Sequence, residues 1–256
     1  MCLVLIGWKV HPDFPLIVAA NRDEIHTRGS ASAQFWKDCP QIYAGRDIDG
    51  GGTWMGITRT GRFATVTNYR DPSLYRENKL SRGQLAKDFL VGCESAYTYA
   101  LRIQECAAKY NPFNLLICDT NELVWLGFVP NILCQVVRIP AGIHGVSNHL
   151  LNTPWPKLVR AKERFQACLS ALPDHAAFRK LLQDREENEK KMYIAYDLDP
   201  EISKLMSSVF IVSADYGTRS STVVTCSTSG EIIFEEVTYD QLGTQTLFSS
   251  TKIAMA

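Results

Sequence analysis

Continuous and alternating apolar runs, bounded by turn residues, predict where the strands of this chain lie. Such runs are typical of half-buried or buried strands. The predicted strands are CLVLIG, LIVAAN, TWMGIT, FATVTN, FNLLICD, ELVWLGF, LCQVVRI, SVFIVSA, STVVTCS and EIIFEEV. Apolar positions three and four residues apart predict helices over residues 81–90, 94–110, 154–172 and 175–185. Because strands and helices occur in separate blocks, the pattern predicts an α+β protein with mainly antiparallel strands.

The number of predicted strands bears on how they are arranged. About eight to ten strands of ordinary length are too many for one flat sheet. We therefore expect two stacked sheets with helices outside them. No internal repeat or low-complexity linker interrupts the sequence, so residues 1–256 are expected to form a single domain. The polar stretch REENEKK, residues 185–191, is expected to be solvated surface.

Composition and charge exclude several functional classes. The chain has 256 residues, of which 46% are hydrophobic, enough for an ample core, and its formal net charge is +0. No block of Lys or Arg exceeds two residues, which argues against a nucleic-acid partner. The first residues lack a basic leader, and their apolar run is too short for a signal peptide or a transmembrane segment. A cytoplasmic location is therefore expected.

Cysteine usage argues against a metal site. The eight cysteines form no CxxC pair and no Cys/His cluster at zinc spacing, so no catalytic metal is expected. Without an export signal most of them should be reduced, with Cys118 and Cys168 acting as small core side chains.

Seven short motifs follow one another along the chain in a recognisable order. They are MC at the start, ANRDE at 20–24, GGTWMGI at 51–57, TNYRDP at 67–72, FNLL at 113–116, GVSN followed by TPWPK within 145–157, and YGTRSST at 216–222. Together they resemble the NRDE family, also called the transport and Golgi organisation protein 2 family. The resemblance implies a four-layer αββα sandwich like that of the N-terminal nucleophile hydrolases. It also implies a role in intracellular heme trafficking, with heme as the transported ligand and heme donor and acceptor proteins as partners, while acyl-CoA is the other amphipathic ligand proposed for the family.

Cys2 is a candidate nucleophile because of its position. An initiator Met before a small residue is usually removed, which would leave a thiol and a free α-amine on one residue. Their ordinary pKa values, about 8.5 and about 7.7 to 8.0, put proton exchange between them near neutral pH. This gives the alternative function, an N-terminal cysteine hydrolase of amide or thioester bonds. The other interpretation is that Cys2 only packs at the start of the strand CLVLIG.

The polar run Asn21, Arg22, Asp23 and Glu24 directly follows the apolar run LIVAA. Asp23 could orient the Cys2 amine or hold the thiol proton. If these carboxylates are buried they need a partner such as Arg22, since an isolated buried carboxylate is costly. Asn21, Arg22 and Glu24 are therefore candidate ligand-binding residues. The alternative is a turn at the end of the strand whose charges face water.

Asn148 and Arg219 complete the candidate catalytic set. Both are predicted on glycine-flanked loops, where an amide and a guanidinium could stabilise an oxyanion or bind an anion. They resemble the asparagine and the C-terminal arginine of choloylglycine hydrolases and penicillin V acylases. Those enzymes also place an arginine three residues before the aspartate, and that position is Ala20 here, a departure that argues against hydrolysis. The alternatives are a turn residue for Asn148 and a surface ion pair for Arg219.

The remaining candidates concern ligand binding. Trp54 could form a flat apolar wall, although the preceding glycines are better interpreted as a hinge before a core strand than as a phosphate loop. Besides Arg22 and Arg219, the TNYRDP motif offers Asn68 and Arg70 for propionates or phosphates. No CxxCH heme-attachment motif is present, and His144 and His149, which flank Asn148 in sequence, are the best-placed candidate heme ligands.

Overall fold

The computed structural model describes residues 2–187 and 204–256. The chain divides into two compact units, one made of Met1–Thr27, Ala141–Ser147 and Asn152–Lys252, the other of Arg28–Pro140, Asn148–Leu151 and Ile253–Ala256. We call them the first and second unit. The two are interleaved along the chain, and the single domain over residues 1–256 stays a prediction. The expectation for residues 188–191 of REENEKK lies outside the described residues.

The described residues form thirteen strands and four α-helices. The strands are β1 (Leu3–Trp8), β2 (Leu16–Ile25), β3 (Ser30–Phe35), β4 (Ile42–Asp47), β5 (Met55–Thr58), β6 (Phe63–Asn68), β7 (Phe113–Cys118), β8 (Leu123–Val129), β9 (Leu133–Arg138), β10 (Gly142–Val146), β11 (Tyr216–Cys226), β12 (Glu231–Tyr239) and β13 (Gln245–Ala254). The helices are α1 (Gly83–Val91), α2 (Ala96–Cys106), α3 (Pro156–Cys168) and α4 (Ala176–Leu182).

The first unit contains a six-stranded sheet in the order β10-β1-β2-β11-β12-β13. The pairings from β10 to β12 are antiparallel. One sheet face packs against α3 and α4, and its apolar core includes Leu3, Leu5, Ile17, Ala19 and Val223. Side chains alternate between the two faces of a strand. The odd-numbered residues of β2 therefore point toward the helices, and the even-numbered residues point to the opposite face.

The second unit contains a seven-stranded antiparallel sheet in the order β3-β4-β5-β6-β7-β8-β9. Helices α1 and α2 cover one of its faces, with Phe89 and Tyr99 packed against apolar residues of the central strands. The fold class is thus confirmed: the chain is α+β, with two antiparallel sheets that each carry helices.

Several strand predictions need correction. The structure has thirteen strands in its described residues rather than eight to ten, because β3, β4, β10 and β13 have weak apolar signals. The predicted strand SVFIVSA, residues 208–214, is wrong, since this segment forms turns and one isolated bridge at Val212. Its Val209 and Ile211 are buried as predicted, but in the helix-covered core. An apolar run reports burial and does not by itself specify a sheet partner.

The glycines before Trp54 allow a left-handed backbone and a close approach to another segment. Gly51 has φ +67°, a left-handed conformation that suits glycine. A Cβ on Gly52 would lie 2.4 Å from the carbonyl carbon of Gly83, where α1 begins. The amide of Thr53 donates to the carbonyl of Gly83 at 3.2 Å. The glycines therefore let the chain pass directly over the start of α1.

The cysteines of the chain form no disulfides. Every cysteine is free, and Cys118, Cys168 and Cys226 are buried. Among the described residues, no helix is both long enough and apolar enough to cross a membrane.

His175 predicts a pH dependence of stability. It is 2% exposed, its Nδ1 lies 3.4 Å from Glu235, and its Nε2 lies 3.1 Å from the Thr225 hydroxyl. Burial lowers the pKa of His175, an effect that Glu235 opposes and that Arg179 reinforces. The folded protein therefore binds this proton less readily than the unfolded chain, so stability falls as pH drops below the unfolded pKa of about 6.5.

We expect His175→Gln to lose less stability than the wild type when pH falls from about 7.5 to about 5. The measurement is the free energy of unfolding in urea for both proteins across this range. Equal losses in the two proteins would contradict the prediction.

Candidate functional site

The NRDE residues lie inside a central strand. Asn21, Arg22 and Asp23 belong to β2 and are 1%, 6% and 5% exposed, whereas Glu24 is partly exposed. These residues therefore form part of a strand and not a turn that faces water. Strand β11 holds them through antiparallel pairing, which continues to Ile25 opposite Tyr216. A polar run can remain in a strand here because its side chains find partners in the first unit.

Asp23 points toward the helix-covered face and accepts hydrogen bonds from two residues of β11. Its Oδ1 accepts a hydrogen bond of 2.7 Å from the Thr218 hydroxyl, and its main-chain oxygen accepts one of 3.0 Å from Tyr216. Burial raises the pKa of Asp23, while the positive charge of Lys157 and the Thr218 hydrogen bond lower it. Lys157 is itself only 1% exposed, and its Nζ donates to the carbonyl of Met206 at 2.9 Å. Sheet and helix thus contribute a carboxylate and an ammonium to one buried region.

Cys2 lies beside the main chain of Asp23. Its Sγ is 3.9 Å from the main-chain oxygen of Asp23. Burial raises the pKa of the Cys2 thiol, the negative charge of Asp23 raises it further, and the charge of Arg22 lowers it. The thiolate is the reactive form of cysteine. A raised pKa keeps the thiol protonated at neutral pH and weakens it as a nucleophile.

Arg22 lies on the face of the sheet opposite to Asp23. It shares this face with Ala20, and the register that pairs Leu3 with Asn21 places Cys2 opposite Arg22. Position 20 is therefore a small apolar side chain on the same face as the buried guanidinium. Arg22 also lies 3.9 Å from a carboxylate oxygen of Glu24. A positive charge thus lies two positions along the strand from Ala20.

Arg219 lies within a strand, so its prediction on a loop is wrong. It is the extra residue at a register shift in β11, between Thr218 opposite Asp23 and Ser220 opposite Arg22. Such bulges redirect a side chain, and they are common next to active sites. The Arg219 guanidinium donates to Nδ1 of His26 at 3.0 Å and to the His26 carbonyl at 3.3 Å. His26 therefore accepts at Nδ1, and its Nε2 is left to donate to the carbonyl of Ser213 at 3.0 Å.

Asn21 connects β2 to the segments around it. Its Nδ2 donates to the carbonyls of Leu182 and Val209 at 2.8 and 2.9 Å, and its Oδ1 accepts from Ser221 at 2.6 Å. An amide has only two N–H hydrogens. Both are used within the first unit, so Asn21 holds the end of α4 and the 209 segment against the sheet.

Asn148 belongs to the second unit and has a left-handed backbone, with φ +56°. Its Nδ2 donates to the carbonyl of Asn68 at 2.8 Å, and its own carbonyl accepts from the Arg70 amide at 2.8 Å. His149 follows, with its Nε2 3.2 Å from the Tyr69 hydroxyl and its carbonyl bonded to Asn114. Burial lowers the pKa of His149. The TNYRDP and GVSN motifs are therefore in direct contact.

Trp54 and His144 have separate surroundings. The Trp54 ring covers Gly45, where a Cβ would lie 2.4 Å from its Cη2. His144 lies on β10 in the first unit, where Nδ2 of Asn152 approaches its Nδ1 at 3.0 Å. Within residues 2–187 and 204–256, no group of three or more His, Cys, Asp or Glu side chains is arranged to hold a metal ion.

The candidate residues thus form two groups. Cys2, Arg22 and Asp23 lie together in the first unit, with Arg219 on the adjoining strand. Asn68, Arg70, Asn148 and His149 lie together in the second unit. Sequence reasoning missed the partners of these residues, namely Lys157, Thr218, His26 and Tyr69. Three of them had a signal, because Lys157 belongs to TPWPK, Tyr69 to TNYRDP and Thr218 to YGTRSST.

Comparison with known proteins places these motifs in a family context. The model of the family Transport and Golgi organisation 2 matches residues 1–241. The Transport and Golgi organization protein 2 homologs of Bos taurus and Homo sapiens are 31% and 30% identical, each over 92% of both chains. The Drosophila melanogaster Transport and Golgi organization protein 2 is 24% identical over 99% of this chain and 97% of its own.

A solved structure shares the fold. It is the Caenorhabditis elegans ortholog of N-acylethanolamine-hydrolyzing acid amidase, with a TM-score of 0.51 and 10% sequence identity. The match covers 87% of this chain and 92% of that chain. At this identity the likeness shows the fold alone, which is the N-terminal nucleophile hydrolase-like fold.

Proposed function

The chain belongs to the Transport and Golgi organisation 2 family, and from this premise we propose that it is a cytoplasmic carrier that binds heme and hands it to another protein. In this proposal the N-terminal nucleophile hydrolase-like fold serves to hold a ligand rather than to cleave one. The partners are an amphipathic anionic small molecule and the heme donor and acceptor proteins that exchange it.

The observation that carries the proposal is the placement of arginines around Cys2. In similar hydrolases an arginine stands three residues before the aspartate, and here that residue is Ala20. The other expected guanidinium, of Arg219, is bonded to His26. The Cys2 thiol is partly buried, and burial raises its pKa. These features favour a site that binds over one that activates a nucleophile.

Arg22 gives this site its preference for an anion. A buried guanidinium binds a carboxylate through two parallel hydrogen bonds, and heme carries two propionates. Glu24 lies 3.9 Å from Arg22, beyond hydrogen-bond length, and a ligand carboxylate would compete with Glu24 for the guanidinium. Arg70 lies in the second unit and is a separate candidate cation for an anionic ligand.

A second candidate function rests on the contact between Cys2 and Asp23. If Met1 is removed, Cys2 would supply the nucleophile and its α-amine the base, with Asp23 orienting the amine. The solved structure with the same fold is named as an amidase. Turnover of an acyl amide or acyl thioester that is lost in Cys2→Ala would support this function, and equal turnover in the variant would reject it.

Titration with heme tests the carrier function. We expect a shifted Soret band that saturates at one heme per chain, because binding to the protein changes the surroundings of the ring. Heme dimethyl ester, whose propionates are uncharged, should bind at least about tenfold more weakly because it cannot form the charged hydrogen bonds. A spectrum that does not change at micromolar heme would contradict the proposal, and equal affinity for the ester would contradict the role of the arginines.

A further inference from the structure

Arg70 is a half-buried cation without a counter-ion in the described chain. Among residues 2–187 and 204–256 its guanidinium makes no hydrogen bond or ion pair, although its backbone amide is bonded to Asn148. Burial lowers the pKa of Arg70, and no neighbouring carboxylate offsets this effect. A guanidinium nevertheless remains charged at neutral pH. A charge that is partly removed from water and unpaired is ready to bind an anion.

Asn148, which accepts the Arg70 amide, has an unsatisfied acceptor of its own. The residue is 3% exposed, and its Oδ1 has no hydrogen-bond partner in the described part of the chain. The orientation of the amide is fixed by chemistry, because the carbonyl of Asn68 can only accept and must therefore face Nδ2. Oδ1 is thus the atom left over, and a buried acceptor without a donor is costly.

The surroundings hold Asn148 in this position. The hydrogen bond from the Arg70 amide holds its left-handed main chain, and the hydrogen bond to the carbonyl of Asn68 holds its side chain. The next residue, His149, is fixed by Tyr69 on one side and by Asn114, which itself accepts from Trp125 at 3.0 Å, on the other. Rotating the Asn148 side chain to satisfy Oδ1 would break its bond to Asn68. The unsatisfied acceptor is therefore built into the second unit.

We propose that Arg70 and Asn148 form a subsite for a carboxylate that carries an N–H or O–H donor on the neighbouring carbon. The carboxylate pairs with the guanidinium of Arg70, and the donor satisfies Oδ1 of Asn148. An N-acyl amino acid, a peptide C terminus and a 2-hydroxy acid share this chemistry. A simple carboxylate, such as a heme propionate, pairs with Arg70 but leaves Oδ1 unsatisfied. The subsite lies within the second unit and does not depend on heme being the cargo.

Matched pairs of small acids test the subsite. N-acetylglycine and N-acetylsarcosine differ in the N–H donor, as glycolate and methoxyacetate differ in the O–H donor. We expect each donor-bearing acid to bind the full-length protein at least about tenfold more tightly than its methylated partner, measured by NMR titration. Tighter binding of N-acetylglycine than of glycolate would identify acylamino acids as the better ligands. Equal affinity for the two would show that the subsite accepts hydroxy acids as well.

Two variants assign the effect to the two residues. Arg70→Gln should weaken the donor-bearing acids by about tenfold or more, whereas Arg76→Gln, which removes an exposed arginine of the same loop, should not. Asn148→Gly tolerates the left-handed backbone and should abolish the preference for the donor-bearing acid. Thermal unfolding verifies that each variant is folded. No detectable binding of any acid, unchanged binding in Arg70→Gln, or equal affinity within both matched pairs would overturn the proposal.

Discussion

Replacing Lys157 by methionine is expected to destabilise the protein by about 1–3 kcal/mol, because it leaves the buried carbonyl of Met206 without its donor and removes a positive charge near Asp23. Lys157 and Asp23 are 1% and 5% exposed, so water cannot take over the role of the lost ammonium. The positive charge of Lys157 lowers the pKa of Asp23 against the effect of burial. The free energy of unfolding in urea measures the change.

Two comparisons show whether the charge of Lys157 near Asp23 is the cause. Lys162→Met removes a partly exposed lysine from the same helix and should cost less than about 1 kcal/mol. Lys157→Met combined with Asp23→Asn should cost less than the sum of the single variants, because the second change removes the stranded carboxylate. An equal cost for Lys157→Met and Lys162→Met would contradict this account.

The stability cost of Lys157→Met should depend on pH through the protonation of Asp23. Burial raises the pKa of Asp23 above its unfolded value, so the carboxyl binds its proton more readily in the folded protein. A protonated Asp23 needs no cation. The cost of Lys157→Met should therefore shrink as pH falls through the folded pKa of Asp23, and a cost that grows toward low pH would contradict the pairing.

Replacing Arg22 by glutamine is expected to weaken heme binding by about 10- to 150-fold, which corresponds to the loss of a charge-assisted hydrogen bond of about 1.5–3 kcal/mol. The buried guanidinium lies on the sheet face opposite the helices, where the strand register places Arg22 opposite Cys2. Arg22→Lys keeps the charge but not the fork geometry, so its affinity should be intermediate. The dissociation constant from the Soret titration is the measurement.

A matched substitution separates this effect from a general loss of charge. Arg102→Gln removes an exposed arginine that pairs with Glu94, and it should leave the heme affinity unchanged. Thermal unfolding shows whether Arg22→Gln is folded, and Arg22→Lys provides a second variant if it is not. If Arg22→Lys and Arg22→Gln both bound heme as tightly as the wild type, Arg22 would not belong to the heme site.

The sequence could predict the class of the fold because period and composition report local structure and burial. The runs LIVAA and FATVTN, for example, became central strands. The same signals could not show that β2 continues through Asn21 to Ile25. Propensity favours a turn for that polar run, but pairing with β11 and the partners Thr218 and Ser221 stabilise the strand.

Long-range partners were the part of the site that could not be predicted. Lys157 precedes Ala161 and Phe165 by four and eight residues, which puts it on the apolar stripe of α3, but a lysine is ordinarily assigned to the surface. Arg219 required knowledge of a bulge, and a bulge depends on the register between β2 and β11. Residues far apart in sequence supply these partners, and a single sequence does not show which of them meet.

One measurement tests the carrier function against hydrolysis most directly. The purified protein and its Cys2→Ala variant would be incubated with heme and with an N-acyl amide, and bound heme and released fatty acid would be measured in the same samples. The account predicts one bound heme per chain and no release of fatty acid beyond that of Cys2→Ala. Fatty acid release that depends on Cys2, in a protein that does not bind heme, would contradict it.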